Sequence, residues 1–474
     1  MSNPILRVAV AAALAVPLSA FSADNSEIAE LKQMFEQMKQ QYETRISALE
    51  ARIQQAEAKA QKAENSAESA NQAVAEVQTE TTNQRSGDNL FNPAISMVVQ
   101  GSATNYSRDP EAWSLQGFQL GGESGLKPEG LSLTETELTV SSNVDDWFFA
   151  QATIGLHEED GSTEIDVEEA FVDSLNLPAG LGLRFGRFFT ETGYINTKHT
   201  HAWGFADAPL TSQAFLGHQY RDDGIRLSWL APTDTFLELG MEALRGERFP
   251  AGGHGDQFLG DAQNYFVRIG RDVGLSHSFR LGISHLQTDP QDRQGGHAHA
   301  GHADETFSFA GDSDLTIADL IWKWAPNGDG RRQNFTFQAE YFHRDEDGDV
   351  TFTNDTGTAL LPYDGTQEGF YAQGIYQFMP RWRVGLRYDR LWTDNDLRVT
   401  ANSSGEGDDD VLDESGLTDG HDPYRWTLMA DYSHSEFSLF RLQFSKDRSR
   451  PNESDEQVQL QYIMTLGAHG AHKY

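Results

Sequence analysis

The chain has no cysteine in 474 residues, which excludes disulfides, thiolate metal sites and cysteine nucleophiles and suits an exported bacterial protein. It is poor in basic residues: 36 Lys and Arg stand against 72 Asp and Glu, a formal net charge of -36. A phosphate backbone would be repelled by such a surface, so nucleic acid is not expected as a partner. Hydrophobic residues are only 38%, and no window reaches the roughly 20 apolar residues that a membrane-spanning helix needs. Enzyme signatures are missing too: there is no Gly-x-Ser-x-Gly elbow, no His-Glu-x-x-His helix and no glycine-rich phosphate loop, so no enzyme is expected.

The first residues present the pattern of a secretory signal peptide. Arg7 is the positive start, Val8 to Leu18 the short apolar run, and Ala20 to Ala23 a small-residue cleavage region, so residues 1–23 are expected to be removed. From 24 to 80 the period is helical. Ile28, Leu31, Phe35, Met38, Tyr42, Ile46, Leu49, Ile53, Ala56 and Ala60 follow a heptad with one stutter, among helix-forming Ala, Glu, Gln and Lys. With Ile46, Ile53 and Ala60 at a positions, Arg45, Arg52 and Lys59 at g face Glu50, Glu57 and Glu64 at e of a parallel neighbour. The segment is therefore expected to be a self-associating coiled coil, dimer or trimer. Residues 81–93 form a polar linker.

After it, from 94 to 474, the period becomes two. Alternating segments predict strands at about Ile95–Tyr106, Leu131–Ser142, Trp147–Leu156, Glu164–Asp173, Leu181–Phe189, Gly224–Leu230, Phe236–Leu244 and Asn264–Gly270. The series continues at Ser278–Leu286, Leu315–Trp324, Asn334–His343, Gly369–Phe378, Trp382–Trp392, Tyr424–Tyr432, Phe437–Ser445 and Gln457 onward. In the second strand the outward residues change parity, Leu131 and Leu133 being odd but Leu138 and Val140 even, which predicts a bulge. Connections alternate short and long, as a closed membrane barrel with short periplasmic turns and long external loops requires. Tryptophans collect near strand ends like interfacial girdles: Trp147, Trp229, Trp322, Trp324 and Trp382 on the short-turn side, Trp392 and Trp426 on the other. The expected fold is all-β: a transmembrane antiparallel β-barrel of about 16 strands, preceded by an α-helical coiled coil on the periplasmic side.

The signal peptide, coiled coil and strand series resemble the bacterial outer-membrane porins. The segments Asn105 to Pro110, Gly186-Arg187-Phe188-Phe189 and Gly467 to Tyr474 resemble the porin-like proteins grouped with siderophore porins, often labelled zinc-regulated outer-membrane receptors. The final Tyr474 resembles the terminal aromatic that serves such barrels as an assembly signal. An energised receptor would carry a globular plug where this chain has a coiled coil and linker, so passive transport is expected. The resemblance also implies that the third external loop, Glu191 to Asp222, folds into the barrel and narrows it. Its aromatics Tyr194, Trp203 and Phe205 would pack on the wall, leaving Asp207 or His201 to face arginines.

Strand parity supplies those arginines. With the apolar face turned to lipid, Arg184, Arg226, Arg268, Arg280, Arg383, Arg387, Arg425 and Arg441 point inward, together with Glu164, Asp166, Glu168, Glu340, Asp389 and Asp431. They would select solutes by charge or simply pair with one another as wall residues. His297, His299 and His302 with Asp304 and Glu305, and His254 in the preceding loop, have the composition of a Zn2+ site, or of solvated filler. Acidic stretches at Asp408–Asp410 with Asp413 and Glu414, and at Asp345–Asp347, would take Ca2+ or Mg2+ bridging lipopolysaccharide, raise the local cation concentration, or simply keep the loops soluble by charge. No cofactor is required. The expected protein is an outer-membrane channel for small polar solutes, a metal or a metal chelate among them; the alternative is a non-conducting structural protein or adhesin anchored by its barrel.

Overall fold

The computed structural model describes residues 93–467 except 160–161, 254–258, 296–305 and 419, and upstream of these only Glu36, which is helical. The chain divides into two units, Met1–Leu90 and Phe91–Tyr474. Apart from Glu36 and Pro93, the expected signal peptide, coiled coil and linker lie outside the described residues, as do Tyr474 and the proposed ligands His254, His297, His299, His302, Asp304 and Glu305.

Sixteen strands make the wall: β1 (Ala94–Tyr106), β2 (Gly130–Asn143), β3 (Phe148–Glu159), β4 (Ser162–Ser174), β5 (Leu181–Phe189), β6 (Arg221–Leu230), β7 (Phe236–Leu244) and β8 (Ala262–Val273). The second half comprises β9 (His277–Thr288), β10 (Thr306–Trp324), β11 (Asn334–Thr353), β12 (Thr358–Met379), β13 (Trp382–Leu397), β14 (Tyr424–Ser435), β15 (Ser438–Arg448) and β16 (Asp455–Gly467). Each is antiparallel to the next, and β1 closes on β16 from Ser96↔Gly467 to Tyr106↔Gln457. Two short segments, Arg293–Gly295 and Ala401–Asn402, extend the sheet beside β10 and β12. The strand series expected from alternation is thus present.

The outward face is apolar. Phe185, Ile225, Leu227, Val267, Ile269, Ile283, Leu442, Phe444 and Leu460 are all exposed, a belt far beyond the scattered apolar residues of a soluble surface and of the kind a spanning barrel turns to lipid.

Two bulges reset the alternation. In β2 the register jumps from Gln100↔Glu135 to Gly101↔Leu133, leaving Thr134 unpaired, as the parity change predicts. In β4 it jumps from Thr153↔Glu169 to Ile154↔Val167, leaving Glu168 unpaired. An extra residue turns the following side chains to the opposite face. Here the result is that Glu137, Glu168 and Glu169 are all buried on the lumen side while Leu131, Leu133, Ile165 and Val167 remain exposed.

Strands β10 to β12 depart from expectation. They run 19, 20 and 22 residues, about twice the roughly 10 residues that cross a bilayer. The region expected as a long loop after His343 is instead a continued hairpin closed at residues 354–357, with Asp345↔Thr366 and Asp347↔Asp364 still in register. The acidic stretch Asp345–Asp347 is therefore strand, and its Glu346 is occupied by Arg293 (2.5 Å) and Arg344 (3.4 Å). Inward apolar residues stabilise the extension: Phe307, Phe309, Val350, Phe352, Leu361 and Tyr363 cluster with Val411 of α2 (Asp408–Glu414). The acids Asp408–Asp410 lie in the first turn of α2, the end of a helix that favours negative charge.

Candidate pore constriction

The connection between β5 and β6 enters the barrel. It contains two 3-10 turns, Ile195–Thr197 and Thr200–Ala202, and one short helix, α1 (Leu210–Leu216), of which every residue is buried. Gly217, in the left-handed region at φ 60°, ends the helix and lets the chain turn back. Asn196 ties the two ends of the loop together: its side-chain amide donates to Thr190 O (2.9 Å) and Tyr220 O (2.8 Å), and its oxygen accepts Tyr220 N–H (2.7 Å).

Apolar packing supplies the first hold. Phe215 stacks on Phe342 at 5.4 Å and meets Phe118 edge-on at 5.5 Å. Trp113, Leu115 and Phe118 come from the β1–β2 loop, which also enters the lumen, and Leu315, Ile317, Tyr371 and Leu391 from the wall. Inward apolar residues on β10 to β13 are the wall's answer to this plug. Tyr194, Trp203 and Phe205 are buried as expected.

Wall carboxylates hold the loop backbone. Glu242 accepts Glu191 N–H (3.0 Å), Glu340 accepts the N–H groups of Tyr194 (2.6 Å) and Ile195 (3.0 Å), and Asp389 accepts Leu210 N–H at the start of α1 (3.0 Å). Charged hydrogen bonds of this kind are about twice as strong as neutral ones. Their direction satisfies donors that the short turns leave free.

Charge completes the docking. Glu191 reaches Arg226 at 2.6 Å and also pairs with Arg268. Asp207 reaches Arg387 (2.9 Å) and Arg425 (3.0 Å) and accepts the Gln443 amide (2.6 Å). Burial alone would raise both loop carboxyls, but the arginines outweigh it and hold each well below the usual carboxylate range. The other arginines named from parity are paired along the wall: Arg184 with Asp173 (2.7 Å), Arg280 with Asp319 (3.8 Å), and both Arg383 (2.5 Å) and Arg441 (2.8 Å) with Asp431.

His201, expected as an alternative to Asp207 for facing arginines, instead meets an acid: its Nδ1 lies 2.6 Å from Glu137, and its ring stacks on His199 at 5.5 Å. The acids that meet the two imidazoles, Glu137 at His201 and Glu169 at His199, were not anticipated. The signal was present in β4, where Ile165 and Val167 are outward and odd but Ala170 and Val172 even, the same change of parity that marks the bulge of β2.

Between the loop and the wall formed by β1, β2 and β14 to β16 lies a cavity of about 410 Å³. Lys127, Arg221 and Arg425 line it, as do Glu135, Glu168 and Asp207. Both signs of charge thus face one small volume, an arrangement that orients polar solutes. Lys127 donates to Ala206 O at 2.8 Å and so joins the two inward loops; burial lowers its pKa to about 8 despite Asp207 and Glu135.

His218 adds a pH dependence. Burial lowers its pKa to about 4, with Lys127 and Arg221 acting in the same sense and Glu123 and Asp207 against it. In the released loop the imidazole would titrate near ~6.5. A depressed value contributes docking stability that is full above ~6.5 and is lost as pH falls through the folded value. Acidification across that window is expected to raise amide hydrogen exchange in residues 203–219, and H218Q to remove most of the pH dependence. Equal exchange at neutral pH and at the bottom of the window would count against it.

Wall, inward loop and paired charges together define a plugged transmembrane barrel. No protein-family model matches the chain. An uncharacterised protein of Aquifex aeolicus (strain VF5) is 29% identical over 420 residues, covering 81% of this chain and 80% of its own. Among solved structures, a loop L8 deletion mutant of OmpT, an outer membrane protein of Vibrio cholerae, is similar with a TM-score of 0.47 at 9% identity, over 79% of this chain and 99% of its own. The outer membrane channel DcaP of Acinetobacter baumannii is similar with a TM-score of 0.47 at 13% identity, over 79% of this chain and 97% of its own.

Proposed function

We propose that the chain is an outer-membrane channel of the porin type, passing small polar solutes by diffusion past the loop that fills its lumen. The observation that carries this reading is the cavity of about 410 Å³ inside a closed barrel, bounded by both signs of charge. Its volume falls within the range of small-ligand sites. A metal–siderophore complex would need the loop displaced, so ions and small charged metabolites are the favoured cargo. The heptad segment supports association of several copies through parallel helices, which chemical cross-linking of purified protein would detect as a dimer or trimer.

Purified full-length protein in planar lipid bilayers is expected to give stepwise conductance of small size, reflecting the occupied lumen. A membrane that stays sealed at every protein concentration would leave a structural or adhesive barrel as the reading to follow.

A further inference from the structure

Loop histidines and wall glutamates converge at one point beneath the plug. His201 Nδ1 is 2.6 Å from Glu137 Oε1, and His199 Nδ1 is 3.1 Å from Glu137 Oε2 and 3.3 Å from Glu168 Oε2. On its other side His199 Nε2 meets Glu169 Oε2 at 3.0 Å. One donor atom each from Glu137, His199 and His201 can be found with all three within 4.8 Å of one another, and the same holds for Glu135, Glu137 and Glu168. A tetrahedral zinc ion with bonds of about 2.0–2.2 Å has ligand atoms separated by roughly 3.3–3.6 Å. The distances around His199 Nδ1 need only small adjustment to meet that.

Two further observations point to an ion rather than to ion pairs alone. Glu168 is only 4% exposed, and neither its Oε2 nor His199 Nδ1 makes a hydrogen bond of good geometry, although the two atoms face one another at 3.3 Å. Buried polar atoms held in contact without a well-formed hydrogen bond are rare, and an ion between them would satisfy both. The bulges of β2 and β4 are the second: each interrupts the ladder beside this cluster, and together they turn Glu137, Glu168 and Glu169 to one side of the wall.

We propose that Glu137, His199 and His201, with Glu168 as fourth donor, bind a divalent ion of the zinc type, which pins the inward loop to β2 and β4. Imidazole nitrogen selects such ions over calcium and magnesium, which prefer all-oxygen shells. Ligands drawn from the loop and from two strands make the ion a clamp: it links segments that are otherwise 62 and 31 residues apart, counting from Glu137 to His199 and from Glu168 to His199. Binding itself is independent of whether the barrel conducts, whereas the effect of the clamp on permeation rests on the channel reading.

The test uses full-length protein in detergent with Co2+ as probe, because tetrahedral cobalt with nitrogen ligands gives intense visible bands. Wild type is expected to develop these bands at one equivalent, Zn2+ to abolish them, and Ca2+ in excess to leave them. H199Q/H201Q is expected to lose the bands. E137Q, which keeps the packing and both imidazoles, is expected to lose or shift them, and so covers the case in which the double variant does not fold. A variant with His297, His299 and His302 all changed to Ala is expected to keep them. Bands absent from wild type, unchanged in E137Q, displaced by equimolar Ca2+, or lost only in the His297/His299/His302 variant would each overturn the site. Bands without bilayer conductance would sustain the ion site and remove the channel reading; conductance without bands would do the reverse.

Discussion

Replacing Asp207 with Ala is expected to leave the barrel folded, release the inward loop and turn the lumen toward anions. Asp207 is the loop's own contribution to an otherwise wall-borne charge network. It meets Arg387 and Arg425, whose side chains are each 1% exposed, at 2.9 and 3.0 Å. Without it the two guanidinium groups retain Asp389, 3.0 Å from Arg387 and 3.9 Å from Arg425, and Asp447, 3.8 Å from Arg425. Two guanidinium groups then face two carboxylates where they had faced three, so this buried place becomes one unit more positive. Removing one partner of a buried pair costs about 3–5 kcal/mol, and the Gln443 amide also loses its acceptor. That cost falls on docking, since the arginines themselves stay in the barrel wall. Hydrogen exchange over residues 205–217 should rise sharply, and the reversal potential in a salt gradient should move toward anion selectivity. D207N, which keeps a side-chain acceptor but no charge, should lie between. Unchanged exchange together with an unchanged reversal potential in D207A would remove this residue from any anchoring or selective role.

The second large effect is expected from F215A. Phe215 is fully buried within a short helix that could not persist alone, because seven residues are too few to repay helix nucleation. Its ring supplies the contacts with Phe342 and Phe118, and the Arg344 guanidinium lies over it at 5.1 Å. Loss of a buried phenylalanine costs about 3–5 kcal/mol when the site cannot collapse, and a barrel wall held by its own ladder cannot move in to fill the space. Single-channel conductance should increase severalfold and become noisier, while the barrel's resistance to heat in detergent changes little. F215L, which restores much of the volume, should recover most of the wild-type behaviour. If F215A conducts like wild type, α1 does not limit the passage.

These two variants also mark how far the sequence could be read. Strand positions followed from alternation because the apolar face of each strand has only one place to go, whereas the inward loop was implied only by the resemblance to porins, once its position after the fifth strand was known. The pairing of Asp207 with arginines needed only the sign of charge. What could not be read is where loop and wall meet. His201 and Glu137 lie 64 residues apart, and nothing local tells an imidazole which side of the lumen it will reach. The length of β10 to β12 was missed for a related reason. Phe307, Phe309, Val350 and Phe352 are strand-forming and alternating, but they face inward against a loop-borne helix instead of outward against lipid. The bulge of β4 was legible in principle, by the same parity change that gave the bulge of β2.

The anchors of the inward loop bear on assembly as well as on the pore. They come from β2 (Glu137), β4 (Glu169), β7 (Glu242), β11 (Glu340), β13 (Asp389) and β15 (Gln443). No single hairpin can present that set, because its members are spread over six strands from β2 to β15. Complete docking of the loop therefore requires those strands to be in place together, and a fully bound loop reports an assembled wall.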